Sequence, residues 1–483
     1  MNSRIVFFGT ILTALFYRWI FCQPVTKFAR LQYYALFGQK VPEWDGKIRG
    51  FVTPGWERVR EELSASFREG REIGAQVAVF HKGEMVVSIV AGSALVNERD
   101  WEGGGGSHGN SFVNMTVEMI HPLFSSTKVA ESTVIGMLAD RGRLDFGAKV
   151  SELWPEFAAG GKDELTIQDI MRHQGGLASP DERFKSSDLK DLEKLGSILA
   201  RQTTNWDVKA RKHQMYHPVT RGMYSGEIAR RADPKGRSMS EFFREEVADK
   251  YGLKFIMGVK EEEWERETVS EQLPPPYLVI LKYIPQYLMG KLVSANTWGR
   301  LMGGDTHDVL QDDERSIVLG FIRKFFGSAY LNFAAAGSVA GVVEGMDKIE
   351  DINNVELLKL ECLGSANGLA NAEGMAKLAD LIRKGELFDV RGGAMEVGER
   401  VRDEGLGFDL AYTACGYGDD RFLSRGLVGW KGWAGMAGSV LQWNEELELA
   451  FSYNTVLPYM RVGKPRGNRL MAVIEDIVRG GGG

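Results

Sequence analysis

Cysteine is scarce. The chain has three, Cys22, Cys362 and Cys415, and three cannot close a disulfide framework. CxxC and HExxH patterns are absent, so neither a structural zinc site nor a zincin site is expected, and no metal or cofactor is assigned. An excess of basic charge is missing too. Fifty-nine Lys and Arg face 65 Asp and Glu, a net charge of −6, which argues against a nucleic-acid-binding face. Glycine is frequent at 58 residues but has no triplet period, so collagen is excluded. There are no internal repeats and no long disordered linker. What remains is ordinary for a globular protein with a large core: 483 residues, 44% hydrophobic and 26% charged. Length alone would allow about three domains.

The N-terminus differs from the rest. Ile5 to Tyr17 carries no charge, and Arg18 interrupts the run before Trp19, Ile20, Phe21 and Cys22. A bilayer span takes about 20 apolar residues. Residues 5–22 approach that length, with Arg18 near an end where it can snorkel. Residues 1–42 hold Arg4, Arg18, Lys27, Arg30 and Lys40 and no acid before Glu43. A membrane anchor is the first expectation. A mitochondrial or other organelle-targeting segment is the second, and a hydrophobic helix docked on the domain is the third. The rest reads as one domain over 45–475, with a tail at 476–483.

Trp56 to Gly70 has Val59, Leu63 and Phe67 at helical spacing. Ala75–Phe80 and Glu84–Val90 are strand-like, joined by His81-Lys82-Gly83 into a hairpin. Helices are expected over Lys128–Arg141, after Thr166, over Ser240–Lys250, and over Ala372–Lys384 with Asn371 as cap and Gly385 as stop. Strand patterns return at Leu427–Trp430, Gly438–Trp443 and Leu447–Tyr453. Strands at both ends suggest one sheet closed by the termini, with a long helical insertion between. Tyr277 to Val293, apolar with interleaved aromatics, reads as insertion core, or as a lid, membrane-facing patch or acyl channel.

The chemistry concentrates at Pro122-Leu123-Phe124-Ser125-Ser126-Thr127-Lys128. Residues three apart share a helix face, with Cβ atoms about 5–6 Å apart. The Lys128 amine can therefore reach the Ser125 hydroxyl. A serine is a weak nucleophile and needs a neighbouring base; lysine serves once burial and nearby cations lower its pKa. The spacing alone is weak. Ser187-Asp188-Leu189-Lys190 repeats it and reads as a solvated helix face. Gly104 to Gly109 formally matches both G-x-S-x-G and G-x-G-x-x-G, but no strand precedes it, and it is set aside.

In context the motif is more specific. Gly50-Phe51-Val52-Thr53-Pro54-Gly55, Gly74 to Val79, Phe124 to Lys128, Gly142 to Phe146, Trp154-Pro155-Glu156-Phe157 and His173-Gln174-Gly175-Gly176-Leu177 follow one another in the order of a known family. From Gly50 to Asn454, about four-fifths of the chain, the sequence resembles the serine β-lactamase-related superfamily of class C β-lactamases and penicillin-binding proteins. It looks most like the esterase-like branch and the animal LACT-domain proteins. The resemblance implies an α/β (α+β) fold. An antiparallel sheet of N- and C-terminal strands (about 45–120 and 405–475) would be flanked by helices, with a large helical lobe inserted at about 125–400.

The resemblance also implies roles. Ser125 would be the nucleophile and Lys128 its base. Tyr216, in Tyr216-His217-Pro218, would stand for the family's proton-relaying tyrosine, although Pro218 occupies the place of an Asn or Ser and cannot donate a hydrogen bond. His217 would be a supporting residue at the pocket rim. Trp433-Ala434-Gly435 would match the Lys-Thr-Gly strand, with Trp430-Lys431-Gly432 as an alternative register. The amides of Ser125 and Met436 would form the oxyanion hole. Ser365 and Asn367, in Ser365-Ala366-Asn367-Gly368, would lie at the pocket rim.

Trp433 in place of lysine removes the cation that would hold a substrate carboxylate, leaving an apolar wall and one N–H donor. The expected activity is therefore hydrolysis of small uncharged or apolar esters through an acyl-enzyme, not of penicillin. An amidase or peptidase, and a membrane-associated scaffold with a vestigial site, are the alternatives.

Overall fold

The computed structural model describes residues 25–97, 110–178, 180–181, 183–205, 208, 217–273, 342–344, 355–388, 429–435, 438–457 and 467–480. The apolar run 5–22, the glycine run at 103–109, Tyr216, Tyr277–Val293, Leu427 and Met436 lie outside them.

The N-terminal part supplies helix α1 (Val25–Phe37), β1 (Ile48–Val52), α2 (Glu57–Arg68), β2 (Gly74–His81), β3 (Glu84–Asn97) and β4 (Asn110–Asn114). The hairpin β2–β3 turns at Lys82 and Gly83, both with positive φ (55° and 84°). That is the backbone of a two-residue turn matching the right-handed strand twist. The short strands β5 (His121–Pro122), β6 (Phe255–Ile256), β7 (Ser270–Glu271) and β8 (Leu369–Ala370) follow, and β9 (Trp430–Ala434), β10 (Val440–Asn444) and β11 (Leu449–Thr455) end the sheet. The order is β1-β3-β2-β11-β10-β9, antiparallel throughout. The last strand in sequence thus pairs with the first hairpin, and the termini close one sheet.

The sheet's two faces pack differently. Val77, Val79, Val87, Ile89, Trp430 and Phe451 share a core with Val59, Leu63 and Phe67 of α2 and with Leu470, Met471 and Ile474 of helix α7 (Gly467–Val478). Each such side chain, fully buried, contributes about 1.5–3 kcal/mol. On the other face lies the helix Ala372–Lys384, capped by Asn371 Oδ1, which accepts from Gly374 N–H at 2.8 Å, and closed by Gly385 at φ 71°. Ala78, Ala372 and Ala376 form its contact with the sheet; their small size allows close approach.

Between these parts lies the helical lobe. Helix α3 (Lys128–Asp140) is buried almost all round and packs against the helix Thr220–Ala232. A helix buried on nearly every side belongs at the centre of a lobe, and its buried Lys128 and Glu131 are paired there. We label the helix Leu192–Arg201 α4, Thr220–Ala232 α5 and Ala372–Lys384 α6.

Several boundaries differ from expectation. Residues 25–41 do not stand apart from the domain: Ala29 and Tyr33 of α1, with Val41, pack against Ile73, Val90 and Leu95. The helix expected from Ser240 to Lys250 begins at Met239 and holds a π turn over Arg244–Ala248. Of the strand expected at Leu427–Trp430, residues 427 and 428 lie outside the described residues; Gly429 takes φ 84° and Trp430 opens a strand that runs on to Ala434. The tail begins later than 476, because α7 runs to Val478.

Candidate active site

Strand β5 delivers the chain to a 3₁₀ turn, Phe124–Thr127, which runs directly into α3. Phe124 takes φ 49°, a conformation bulky side chains rarely adopt and which marks functional turns. The turn is tied down on both sides. Leu123 N–H donates to Gly368 O at 2.8 Å, and Gly368 N–H donates to Thr127 Oγ1 at 2.9 Å. From Met119 to Leu138 every residue is buried except Ser125, which is half-buried. The hydroxyl-bearing residue is the one point of that stretch open to solvent.

Lys128 is fully buried. Its Nζ donates to Pro218 O at 2.6 Å and to Ser365 O at 3.1 Å. Pro218, which has no N–H to give, contributes a carbonyl. Tyr216 lies outside the described residues, but residues 217 and 218, which follow it in sequence, come to Lys128 and to His173. His217 is 1% exposed. Its backbone N–H donates to His173 Nδ1 at 3.0 Å, and its Nε2 accepts from Leu177 N–H at 2.9 Å. It therefore lies in the interior, not at a rim. Ser365 and Asn367 are likewise buried; the Asn367 amide donates to Leu360 O at 2.6 Å and braces its own loop.

One turn beyond Lys128 stands Glu131, also fully buried. Arg221 of α5 binds it through both carboxylate oxygens, Nε to Oε1 at 2.9 Å and Nη2 to Oε2 at 3.0 Å. Ser225 Oγ donates to Oε1 at 2.7 Å and Ser365 Oγ to Oε2 at 2.6 Å. Burial pushes the Glu131 carboxyl upward, but Arg221, Lys128 and these hydrogen bonds outweigh it and hold the group below its ordinary pKa. His173 sits beside Arg221, 3.4 Å from Nη1 to Nε2. Burial, with Arg221, His217 and Lys128 nearby, holds it well below the usual histidine pKa, so it is neutral. These two charged residues and His173 were not singled out from sequence. The one signal in the sequence for the carboxylate is the spacing Lys128-x-x-Glu131, since residues three apart are neighbours on a helix.

The sheet edge completes the site. Trp433 is 3% exposed, with its ring 5.2 Å under the Arg221 guanidinium and 6.0 Å from His173. The expected apolar wall is thus turned inward, onto a cation of the chain itself. An ammonium at 433 would face that guanidinium as a like charge, whereas an indole attracts it. Alternation along β9 sends Trp430 to the opposite core, against Phe451, so Trp433 is the tryptophan on the Ser125 side. Gly435 closes the edge: a Cβ there would lie 2.2 Å from Leu123 O. Ser439 Oγ lies 2.7 Å from Leu123 O and 2.9 Å from Ser126 Oγ. The β9–β10 connection is therefore clamped to the turn that carries Ser125. Met436, the expected oxyanion donor, is outside the described residues.

A second S-x-x-K, at Ser187 to Lys190, shows the contrast. Its lysine is 59% exposed and pairs with Glu356 at 2.7 Å, as a solvated face should.

Ser125 is thus half-buried one turn ahead of a fully buried, carbonyl-bound lysine, beside the edge of the antiparallel sheet. The chain belongs to the Beta-lactamase family, which it matches over residues 48–475. Its similarity to the Esterase/beta-lactamase LipL of Mycobacterium tuberculosis is 31% identity over 210 residues, 43% of this chain and 44% of that protein; the match spans less than half the length of that relative. Among solved structures, a penicillin-binding protein homolog from Caulobacter crescentus superposes with a TM-score of 0.60 at 23% identity, covering 89% of this chain and 100% of that one. A family VIII carboxylesterase gives 0.60 at 24% identity, with the same coverage of each chain. At these identities they establish the fold: a β-lactamase-like α/β architecture with an antiparallel sheet and flanking helices.

Proposed function

We propose that the protein hydrolyses small carboxylic esters through an acyl-enzyme on Ser125. The observation that carries this reading is the exposure pattern: Ser125 alone is accessible between Met119 and Leu138, with the Lys128 amine buried one helical turn on. A neutral amine has two N–H groups and one lone pair. The carbonyls of Pro218 and Ser365 accept N–H bonds from the Lys128 amine and fix its position, and in the neutral form its lone pair takes the serine proton. Ser125 Oγ then attacks the ester carbonyl, and the proton passes through Lys128 and Tyr216 to the leaving alcohol. The amides of Ser125 and Met436 hold the oxyanion. Water, deprotonated by Tyr216, releases the acid and restores the serine. Each oxyanion donor of this kind is worth about 10²–10³ in kcat.

Esters are favoured over carboxylate-bearing lactams for a reason of charge. Arg221, which stacks on the Trp433 ring, is already engaged by both oxygens of Glu131, and Lys431 of the same strand faces Glu445 at 3.7 Å, so both cations are committed to carboxylates of the chain itself. A fluorophosphonate probe is expected to label the wild type and not Ser125→Ala. A panel of p-nitrophenyl esters is expected to show turnover that depends on acyl length, with no acylation by penicillin. Equal labelling of both proteins would remove Ser125 as the nucleophile; absence of turnover on every ester would favour a vestigial site.

Membrane association through residues 5–22 is proposed as well. Among the described residues no helix is long and apolar enough to cross a membrane. Support comes from α1, which follows that run: Leu31, Tyr34 and Leu36 are 54%, 51% and 59% exposed, an apolar surface suited to a lipid interface. The full-length Leu31→Asp/Tyr34→Asp variant is expected to float less with phosphatidylserine vesicles than the wild type. Unchanged flotation would mean that α1 does not touch lipid.

A further inference from the structure

Glu131 and Arg221 are both completely buried, and neither reaches the open side of Ser125. A buried ion pair is weak evidence of stabilisation, because desolvation offsets most of the attraction. Its placement suggests another role. Glu131 lies one helical turn from Lys128, and the two charges act on each other. Ser365 joins them physically: its hydroxyl donates to Glu131 Oε2 and its carbonyl accepts from Lys128 Nζ. Gly222, next to Arg221, permits this, since a Cβ there would lie 2.4 Å from Ser365 N.

Resting on the serine-hydrolase reading above, we propose that Glu131 and Arg221 are positioning residues that set the proton affinity of Lys128 as an opposed pair. The carboxylate fixes the Ser365 loop against the amine, and the guanidinium cancels the field that the carboxylate would otherwise impose. An unopposed carboxylate one turn away would favour the ammonium and remove the base at neutral pH. An unopposed guanidinium would do the reverse. With both present, the lysine feels the carbonyl cage and little net charge.

The other groups around Lys128 leave this balance to the pair. His173 is held neutral by burial and by Arg221, His217 and Lys128; His217 packs 5.6 Å from it with Nε2 engaged by Leu177 N–H. Ser125 and Ser365 carry no charge.

The test is the pH dependence of the second-order rate of fluorophosphonate labelling at Ser125, measured on full-length protein whose folding is checked by circular dichroism. Glu131→Gln, which keeps the shape and removes the anion, is expected to move the acid limb about one pH unit down. Arg221→Met is expected to move it about one unit up. Glu131→Gln/Arg221→Met should return it close to the wild type, and Arg221→Lys should leave it there. A merely structural pair would lower rates without shifting the limb in opposite directions. If Arg221→Met does not fold, Glu131→Gln decides alone: a limb that stays or moves up overturns the proposal. Labelling that persists unchanged in Ser125→Ala would instead overturn the nucleophile assignment, a separate failure.

Discussion

Lys128→Met should lower ester turnover and fluorophosphonate labelling by about 10²–10⁴-fold, the range lost when a positioned general base is removed. The substitution keeps the buried stem, so packing around α3 is retained. It leaves the carbonyls of Pro218 and Ser365 without their donor, and each buried polar group left unpaired costs about 1–3 kcal/mol. The thermal midpoint should therefore fall while the fold persists. The loss should be in kcat with KM little changed, because the amine acts on the serine proton and does not touch the acyl chain. A folded Lys128→Met protein that labels at the wild-type rate would assign the base elsewhere.

The second large effect is expected at a residue with no chemistry of its own. In Gly435→Ala the new Cβ would stand 2.2 Å from Leu123 O and 2.3 Å from Ser439 Oγ. Neither the backbone carbonyl nor the clamped serine can step aside without moving the turn Phe124–Thr127 or the β9–β10 connection. Overpacking of this kind costs about 1–3 kcal/mol. The larger consequence is geometric: the strand would be pushed off the serine, and misplacement by about 1 Å can lower a rate 10²-fold. Gly432→Ala, on the same strand, serves as a comparison. Its Cβ would meet Leu441 O at 2.3 Å, and the atoms nearest it belong to Leu441 and Gln442 of β10, so it should destabilise the sheet without bearing directly on Leu123. Equal activity losses per unit of lost stability in the two variants would show that Gly435 has no special place at the site.

Local chemistry was the most legible part of the sequence. The Asn371 cap, the Thr166 cap, the Lys82-Gly83 hairpin turn and the start of α3 depend on residues a few positions apart, and the structure has each of them. The closure of the sheet by both termini was legible from pattern, because strand-like runs occur only near the two ends. What could not be read was long-range. Arg221 meets Glu131 across 90 positions, and Ser439 meets Ser126 across 313; no spacing rule spans such separations. The inward turn of Trp433 was missed for the same reason, since its partner is that arginine. Phe124 gave no warning of its positive φ, because the demand comes from tertiary ties at Leu123 and Thr127 and not from its own preference.

Strand β11 sits between β2 and β10, so the middle of the sheet is supplied by the end of the chain. While the ribosome is still making the first several hundred residues, β2 lacks its β11 partner and shows a bare edge of hydrogen-bonding groups. Such an edge invites pairing with other nascent chains. A premature stop before Val440 would release a polypeptide that holds the serine and the lysine but lacks the strand that completes the sheet. Proteolytic loss of the last fifty residues should therefore aggregate the protein instead of trimming it.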